Sequence, residues 1–302
     1  MTPEVSVIVP TYNRRAMLLE AIDSVLAQSF ESFELIVIND GSTDGTAEHL
    51  KGLAKSIRIE RTEHTGPAAA RNRGGELARA PLIAFLDSDD LWSPSKLERQ
   101  LSFMRANPGC AISQTNEVWI RNGRRVNPGL RHRKRAGDIF IDSLRTCLFS
   151  MSATMIRTDL FRSLGGFDEV MAAAEDYDLW LRILIDHEAG LLDEPLVTRR
   201  GGHPDQTSAT TPALDRFRIL ALAKLLTDDR LSQTRRSAVV EALVEKCGIY
   251  AGGLVRRGRI EEARLYELVA GQARGWDMRP VPEIGCAVKS MRCMLREIPH
   301  EC

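Results

Sequence analysis

The sequence has no window of about 18 apolar residues, the length a spanning helix needs, so no membrane-crossing segment is expected in its 302 residues. Its N-terminus, MTPEVSVIVPTYNRR, lacks a basic stretch ahead of an apolar one, and the short run VSVIV ends at a proline. That start reads as a strand, not a secretion signal. The six cysteines (Cys110, Cys147, Cys247, Cys286, Cys293 and Cys302) include no C-x-x-C pair, which removes the usual zinc and dithiol motifs and fits a reducing compartment. Net charge is missing too, with 41 Lys plus Arg against 41 Asp plus Glu. No nucleic-acid partner is therefore expected, and any electrostatic attraction must be local. The expectation is a soluble, cytoplasmic chain.

What is present is an alternation of strands and helices. Residues 5–9 are apolar on both faces apart from Ser6, as a parallel strand covered on both sides requires. Met17, Leu18, Ala21, Ile22, Val25 and Leu26 then recur at helical spacing, with Asn13 as the expected cap. FELIVIND repeats the strand signal, GSTDGT supplies turn chemistry and AEHLKGLAK a helix, so the chain opens β-α-β-α, the start of a doubly wound sheet. IRIERT, GPAAARNRGGELARA, PLIAFLD, PSKLERQLSFMRAN and PGCAISQTNEVWI continue as strand, helix, strand, helix and strand. RNGRR reads as a hairpin turn and LRHRKRAGDIF as a polar, basic loop. After SATMIRTDLFRSLGGF come an amphipathic helix in AAEDYDLWLRILIDHE and a last strand in GLLDEPLVTRRGG. Helical segments follow, which divides the chain into 1–210 and 211–302.

The chemistry gathers at strand ends. AFLDSDDLW sets Asp87, Asp89 and Asp90 at the carboxyl end of an apolar strand, where open α/β sheets bind ligands. Converging carboxylates repel unless a cation shares them, and oxygen-only ligands suit Mg²⁺ or Mn²⁺. A solvated acidic turn, with Asp87 or Ser88 capping a following helix, accounts for the same residues. Asp40 ends the second strand, placed to accept from a base or a ribose, or simply to make a β-turn. Tyr12 offers a stacking face and Arg14 a phosphate partner, while Arg71 and Arg73 stand among small residues suited to anion contact. Glu175, Asp176 and Asp178 crowd a helix start, favoured there by the helix dipole or placed as a general base. His203 lies in the Gly-rich loop RRGGHPDQTS, where it can complete a metal site or meet a phosphate.

In this order and spacing, VSVIVPTYNR, FELIVINDGSTDGT, GPAAARNRGG, IAFLDSDDLWSPSKLERQ and EDYDLWLR closely resemble the inverting glycosyltransferases of family 2, over roughly residues 4–208. The resemblance implies the GT-A fold, a Rossmann-like, mostly parallel α/β sheet, here with a C-terminal helical extension. It implies a metal-dependent transferase that uses a nucleotide-sugar, most often a UDP-sugar, with Mn²⁺ or Mg²⁺. Carried over to this chain, Pro10, Tyr12, Asp40, Arg14, Arg71, Asp87, Ser88 and His203 are donor contacts. Asp89, Asp90 and His203 are metal candidates, with Asp89 the preferred ligand, and the adjacent carboxylates leave the register open. Asp176, paired with Glu175, is the expected base. Gln206 and Ser208 complete a late H-x-x-x-S-like region.

The family's processive members carry Q-x-x-R-W and several apolar helices. Neither occurs here, so the resemblance implies transfer of one sugar to a glycan or lipid-linked acceptor, in surface polysaccharide assembly. The basic run 131–135 can cover the donor diphosphate, meet an anionic acceptor or stay solvated. The helices of 211–302 are open to three roles: acceptor platform, homo-oligomer contact, or peripheral contact with the inner face of a membrane, GCAVKSMRCMLREI being the amphipathic candidate. Two other readings stay open, a sugar nucleotidyltransferase and a non-catalytic nucleotide-sugar-binding scaffold of the same fold.

Overall fold

Seven successive residues, Val5–Thr11, are buried on both faces. This is strand β1, and it lies inside the sheet because both its neighbours are hydrogen-bonded to it in parallel: β2 (Phe33–Asp40) from Val5↔Phe33 to Thr11↔Asn39, and β4 (Leu82–Phe85) from Val5↔Leu82. The computed structural model describes residues 2–53, 57–203, 206, 211, 213–275 and 288–292. Two compact units divide the chain. The first comprises residues 1–139, 148–169 and 187–206, and the second 140–147, 170–186 and 207–302.

In the first unit, α1 (Arg15–Leu26) connects β1 to β2, α2 (Thr46–Lys51) leads to β3 (Arg58–Thr62), and α3 (Pro67–Leu77) leads to β4. Beyond β4 come β5 (Leu91–Trp92), α4 (Lys96–Ala106), β6 (Ile112–Arg121) and β7 (Arg124–Val126), then β8 (Thr154–Arg157), α6 (Thr158–Ser163) and β9 (Ala189–Gly201). The sheet order is β3-β2-β1-β4-β8-β6-β9-β5, with β7 paired to β6. The parallel arrangement holds across β3-β2-β1-β4 and again between β6 and β9, whereas β8 runs against both of its neighbours and β5 against β9. The parallel strands β1, β2 and β4 thus end on one side, and their following loops meet there.

Two local expectations need correction. Asn13 does not cap α1. Arg14 occupies the N-cap position, and Asn13 takes a left-handed conformation (φ 49°) from which its side-chain Oδ1 accepts from Thr43 N at 2.8 Å. Asparagine tolerates that region better than most residues, and its side chain ties two loops instead of one helix end. The fourth helix begins at Lys96, two residues inside the segment PSKLERQLSFMRAN, with Ser95 at the N-cap position.

The second unit holds α5 (Phe140–Ser143), α7 (Glu175–Leu184), α8 (Asp215–Leu225), α9 (Gln233–Arg256) and α10 (Ile260–Gly275). A turn at Arg257–Arg259 joins α9 to α10. Gly258 takes φ 74° there, and Tyr250 and Tyr266 meet edge to face at 4.6 Å. Ser232 caps α9, its Oγ accepting from Arg235 N. No helix among the described residues is long and apolar enough to cross a membrane. Cys110, Cys147 and Cys247 are free thiols. The segment GCAVKSMRCMLREI lies largely outside the described residues, as do Cys286, Cys293 and Cys302.

α3 packs on β1 through Gly74, where a Cβ would collide with the buried Ile8 side chain. Alanine at 74 gains about 1 kcal/mol of helix propensity but over-packs the contact by about 1–3 kcal/mol. The expected outcome for Gly74→Ala is a lower urea midpoint than wild type, with an unchanged slope. A higher midpoint would show that this contact is not tight.

Candidate functional site

The loop after β2 is organised around one carboxylate. Asp40 is 3% exposed. Its Oδ1 accepts from Thr65 N at 3.0 Å and Thr62 Oγ1 at 3.1 Å, and its Oδ2 accepts from Gly66 N at 2.9 Å and lies 3.0 Å from His64 Nδ1. An acidic side chain is needed because only a carboxylate offers that many acceptor positions to converging donors. Asp40 thereby pins the 62–66 segment that opens α3. His64, held in this way, stacks on Tyr12 with ring centroids 3.7 Å apart and 16° between planes. The expected stacking face of Tyr12 thus already has one aromatic neighbour. His64 was missed in the sequence reading, although a histidine between a strand end and Gly66-Pro67 was a signal to follow.

The loops after β1 and β2 are also tied to each other. Asn13 N donates to Ser42 Oγ at 3.0 Å, Ser42 N to Asn39 Oδ1 at 3.0 Å, and Arg15 N to Asp44 Oδ2 at 3.0 Å. These bonds hold Tyr12 and Arg14 in place at the end of β1, beyond the buried Pro10.

Asp87, Asp89 and Asp90 converge, each offering an oxygen within 4.8 Å of the others. Their surroundings differ. Asp87 accepts from Arg71 Nη2 at 2.8 Å, and Arg71 reaches it from the buried face of α3. Asp89 Oδ2 accepts from Arg14 Nη1 at 3.0 Å and lies 2.9 Å from His203 Nε2. Asp90 turns inward: Ser152 Oγ donates to its Oδ2 at 2.6 Å and Arg200 N to its Oδ1 at 2.9 Å. Ser152 Oγ also accepts from Asp87 N at 3.1 Å, and its carbonyl accepts from Trp92 Nε1 at 2.7 Å. Below them the fully buried Lys96 sets Nζ 3.6 Å from the Trp92 ring centroid. Both oxygens of Asp90 are thus engaged inside the protein, while Asp87 and Asp89 each keep one oxygen outside these contacts.

Arg14, Arg71, Asp87, Asp89, Asp90 and His203, six of the expected residues, are therefore brought together. Ser88, between the first two carboxylates, is buried. Gln206 accepts from Gly202 N at 3.0 Å through its Oε1, behind His203, and Ser208 lies outside the described residues. Ser152 and Arg200 belong to the cluster without having been foreseen. Ser152 carries no local signal, while Arg200 precedes the Gly-Gly-His run that was noticed.

Glu175 and Asp176 begin α7 in the second unit, where Ala174 takes a left-handed conformation at φ 58°. Asp176 Oδ1 accepts from Tyr177 N at 2.7 Å, and its Oδ2 lies 3.6 Å from Cys147 Sγ. Asp178 serves structure: it accepts from Lys224 Nζ at 2.6 Å and Arg182 Nε at 2.9 Å. Tyr177 donates to Leu144 O at 2.6 Å, and its burial pushes the phenol pKa upward.

Burial, then the charges of Asp89 and Asp87, raise the pKa of Asp90 well above the usual carboxylate range. Burial and Asp87 raise that of Asp89, against the pull of Arg14 and His203. A carboxyl whose folded pKa exceeds its unfolded value of about 3.9 binds more protons folded than unfolded. It therefore loses stability as pH rises from that value through the raised one. With chelator present, wild type is expected to lose more melting temperature than Asp90→Asn between about pH 4 and pH 7. Mn²⁺ at the upper end should restore part of it. Parallel pH profiles for the two proteins would count against a strained acidic cluster.

The glycosyl transferase family 2 model matches residues 6–165. An uncharacterized glycosyltransferase of Rickettsia felis is 38% identical over 196 residues, which is 64% of this chain and 32% of that protein. The chain thus spans about a third of the length of that curated relative. The Escherichia coli protein WfgD, a UDP-Glc:alpha-D-GlcNAc-diphosphoundecaprenol beta-1,3-glucosyltransferase, is 32% identical over 191 residues, 63% of this chain and 73% of that one. Among solved structures, S. aureus TarS 1–349 in complex with UDP-GlcNAc superposes with a TM-score of 0.70 at 20% identity, over 97% of this chain and 89% of that chain. The fold is the GT-A fold, a mixed α/β sheet followed by C-terminal helices, and the chain belongs to glycosyl transferase family 2.

Proposed function

We propose that the chain is a metal-dependent inverting glycosyltransferase that moves one sugar from a nucleotide-sugar, a UDP-sugar by preference, to a hydroxyl of a glycan or lipid-linked acceptor in surface polysaccharide assembly. The observation that carries this reading is the carboxylate cluster at the end of β4, with Asp89 shared between Arg14 and His203. WfgD and the UDP-GlcNAc-bound TarS support the donor class.

The donor set is all oxygen with one imidazole beside it, which suits Mn²⁺ or Mg²⁺. Asp87 and Asp89 would hold the ion, because each keeps an oxygen outside the internal contacts, and Asp90, the third expected group, fixes the loop through Ser152 and Arg200. His203 is a ligand or a diphosphate contact. Bound there, the ion would neutralise charge on the departing diphosphate. Arg14 and Arg71, released from their carboxylate partners, are placed for the same anion. Tyr12 and Asp40 shape the base and ribose end, with Pro10 and Ser88 lining it.

Asp176 is the proposed base that takes the proton of the acceptor hydroxyl, with Glu175 beside it. One carboxylate suffices, since inversion is a single displacement with no glycosyl-enzyme intermediate. Residues 211–302 are the proposed helical extension to the 1–210 catalytic domain, serving acceptor binding, self-association or contact with the inner face of a membrane.

Titration calorimetry with UDP-, GDP- and dTDP-sugars is expected to show binding of a UDP-sugar only with Mn²⁺ or Mg²⁺, and Asp89→Ala to abolish it. Asp176→Asn should leave that binding intact and lower kcat by about 10²–10⁴. No heat with any donor, or full turnover in both variants, would sink the proposal; binding without any UDP release would indicate a scaffold.

A further inference from the structure

The chain is neutral as a whole, but its positive charge is concentrated. From Val118 to Gly137, VWIRNGRRVNPGLRHRKRAG, there are seven basic residues and no acidic one, so the rest of the chain carries seven more acids than bases. One of the seven is turned inward: Lys134 Nζ donates to Glu117 Oε2 and to Thr115 O, both at 2.9 Å, and is buried. This buried pair fastens the loop behind the β6–β7 hairpin to β6. His132 settles 5.3 Å from the Trp119 ring, and the Arg199 guanidinium lies 4.8 Å from the centroid of the same ring.

With the loop so fastened, Arg121, Arg124, Arg125, Arg131 and Arg133 are all exposed. Among the described residues no ion pair joins these five to an acidic side chain. In their midst a one-turn helix, Leu130–His132, follows Pro128-Gly129 and leaves Leu130 87% exposed. No other large apolar side chain described is as bare.

We propose that the β6–β7 hairpin and the loop behind it form a docking surface for an anionic lipid bilayer, with Leu130 entering the headgroup boundary and the arginines holding lipid phosphates. Each part has its physical reason. Guanidinium groups bind phosphate oxygens in pairs and carry little hydration to lose. A basic cluster gathers anionic headgroups at short range even on a neutral protein. An exposed leucine inside such a cluster gains nothing from a soluble polyanion but is stabilised by an apolar layer beneath the charges.

The surface also adjoins the carboxylate site. Arg121 pairs with Gly201, Asn122 N donates to Gly201 O at 3.2 Å, and two residues on His203 meets Asp89. A lipid-linked acceptor would therefore be delivered beside the donor loop. That purpose rests on the proposed transferase activity, whereas the binding itself does not.

Co-sedimentation with phosphatidylcholine vesicles, with and without phosphatidylglycerol, tests the surface. The full chain is expected to bind the anionic vesicles about tenfold or more better than the neutral ones, with a steep loss in salt. Arg124→Glu/Arg125→Glu should remove most of that binding, and Leu130→Ser should weaken it several-fold even at low salt. Lys51→Glu/Arg61→Glu on α2 and β3, the same charge change at another exposed site, should retain it, and thermal melts should show all variants folded. Equal binding to both vesicles, equal loss in the Lys51/Arg61 control, or binding of soluble polyphosphate without vesicle binding overturns the proposal. UDP-sugar calorimetry on the same proteins keeps the two readings apart: vesicle binding without donor binding would leave this surface standing and remove the transferase reading.

Discussion

Three carboxylates held within one short loop, largely out of water, form the constraint on which this site depends. Like charges this close cannot all stay ionised without counter-charges or donors. The fold supplies them from distant parts of the chain: Arg14 from the end of β1, Arg71 from α3, Ser152 ahead of β8, Arg200 from β9, and His203 just beyond. The loop's own four residues provide little of this compensation, so its geometry depends on assembly of the first unit.

The partners are divided between holding and leaving room. Asp90 is bound on both oxygens and braced through Ser152 to Trp92, which fixes the loop to the strands beneath it. Asp87 and Asp89 rest instead on arginine and histidine side chains brought from other elements. Asp40 is held in a similar way, by donors from the 62–66 segment. The same loop economy appears at Asn13, which gives up capping a helix to bridge two strand-end loops.

Much of the fold was legible locally. The strands and helices of residues 5–106, the two-residue β5 apart, follow from periodicity, and the hairpin at Asn122-Gly123 and the α9–α10 turn at Gly258 from turn chemistry. The direction of β8 was not legible, because an apolar strand such as Thr154–Arg157 carries no mark of whether its neighbours run with it or against it. His64 and Arg200 were overlooked because each gains its meaning from a residue far away in sequence, Tyr12 in one case and Asp90 in the other.

By itself the sequence determined the opening alternation of strands and helices, the acidic run at the end of an apolar strand, and the concentration of arginine in residues 118–137. These are matters of composition and short-range pattern, which the chain carries whether folded or not. Only the tertiary structure decided which carboxylate faces inward, that His203 meets Asp89, and that Lys134 turns in while its neighbouring arginines turn out. Those outcomes depend on which buried donors lie across the sheet, and pairings over tens to more than a hundred residues leave no trace in local spacing.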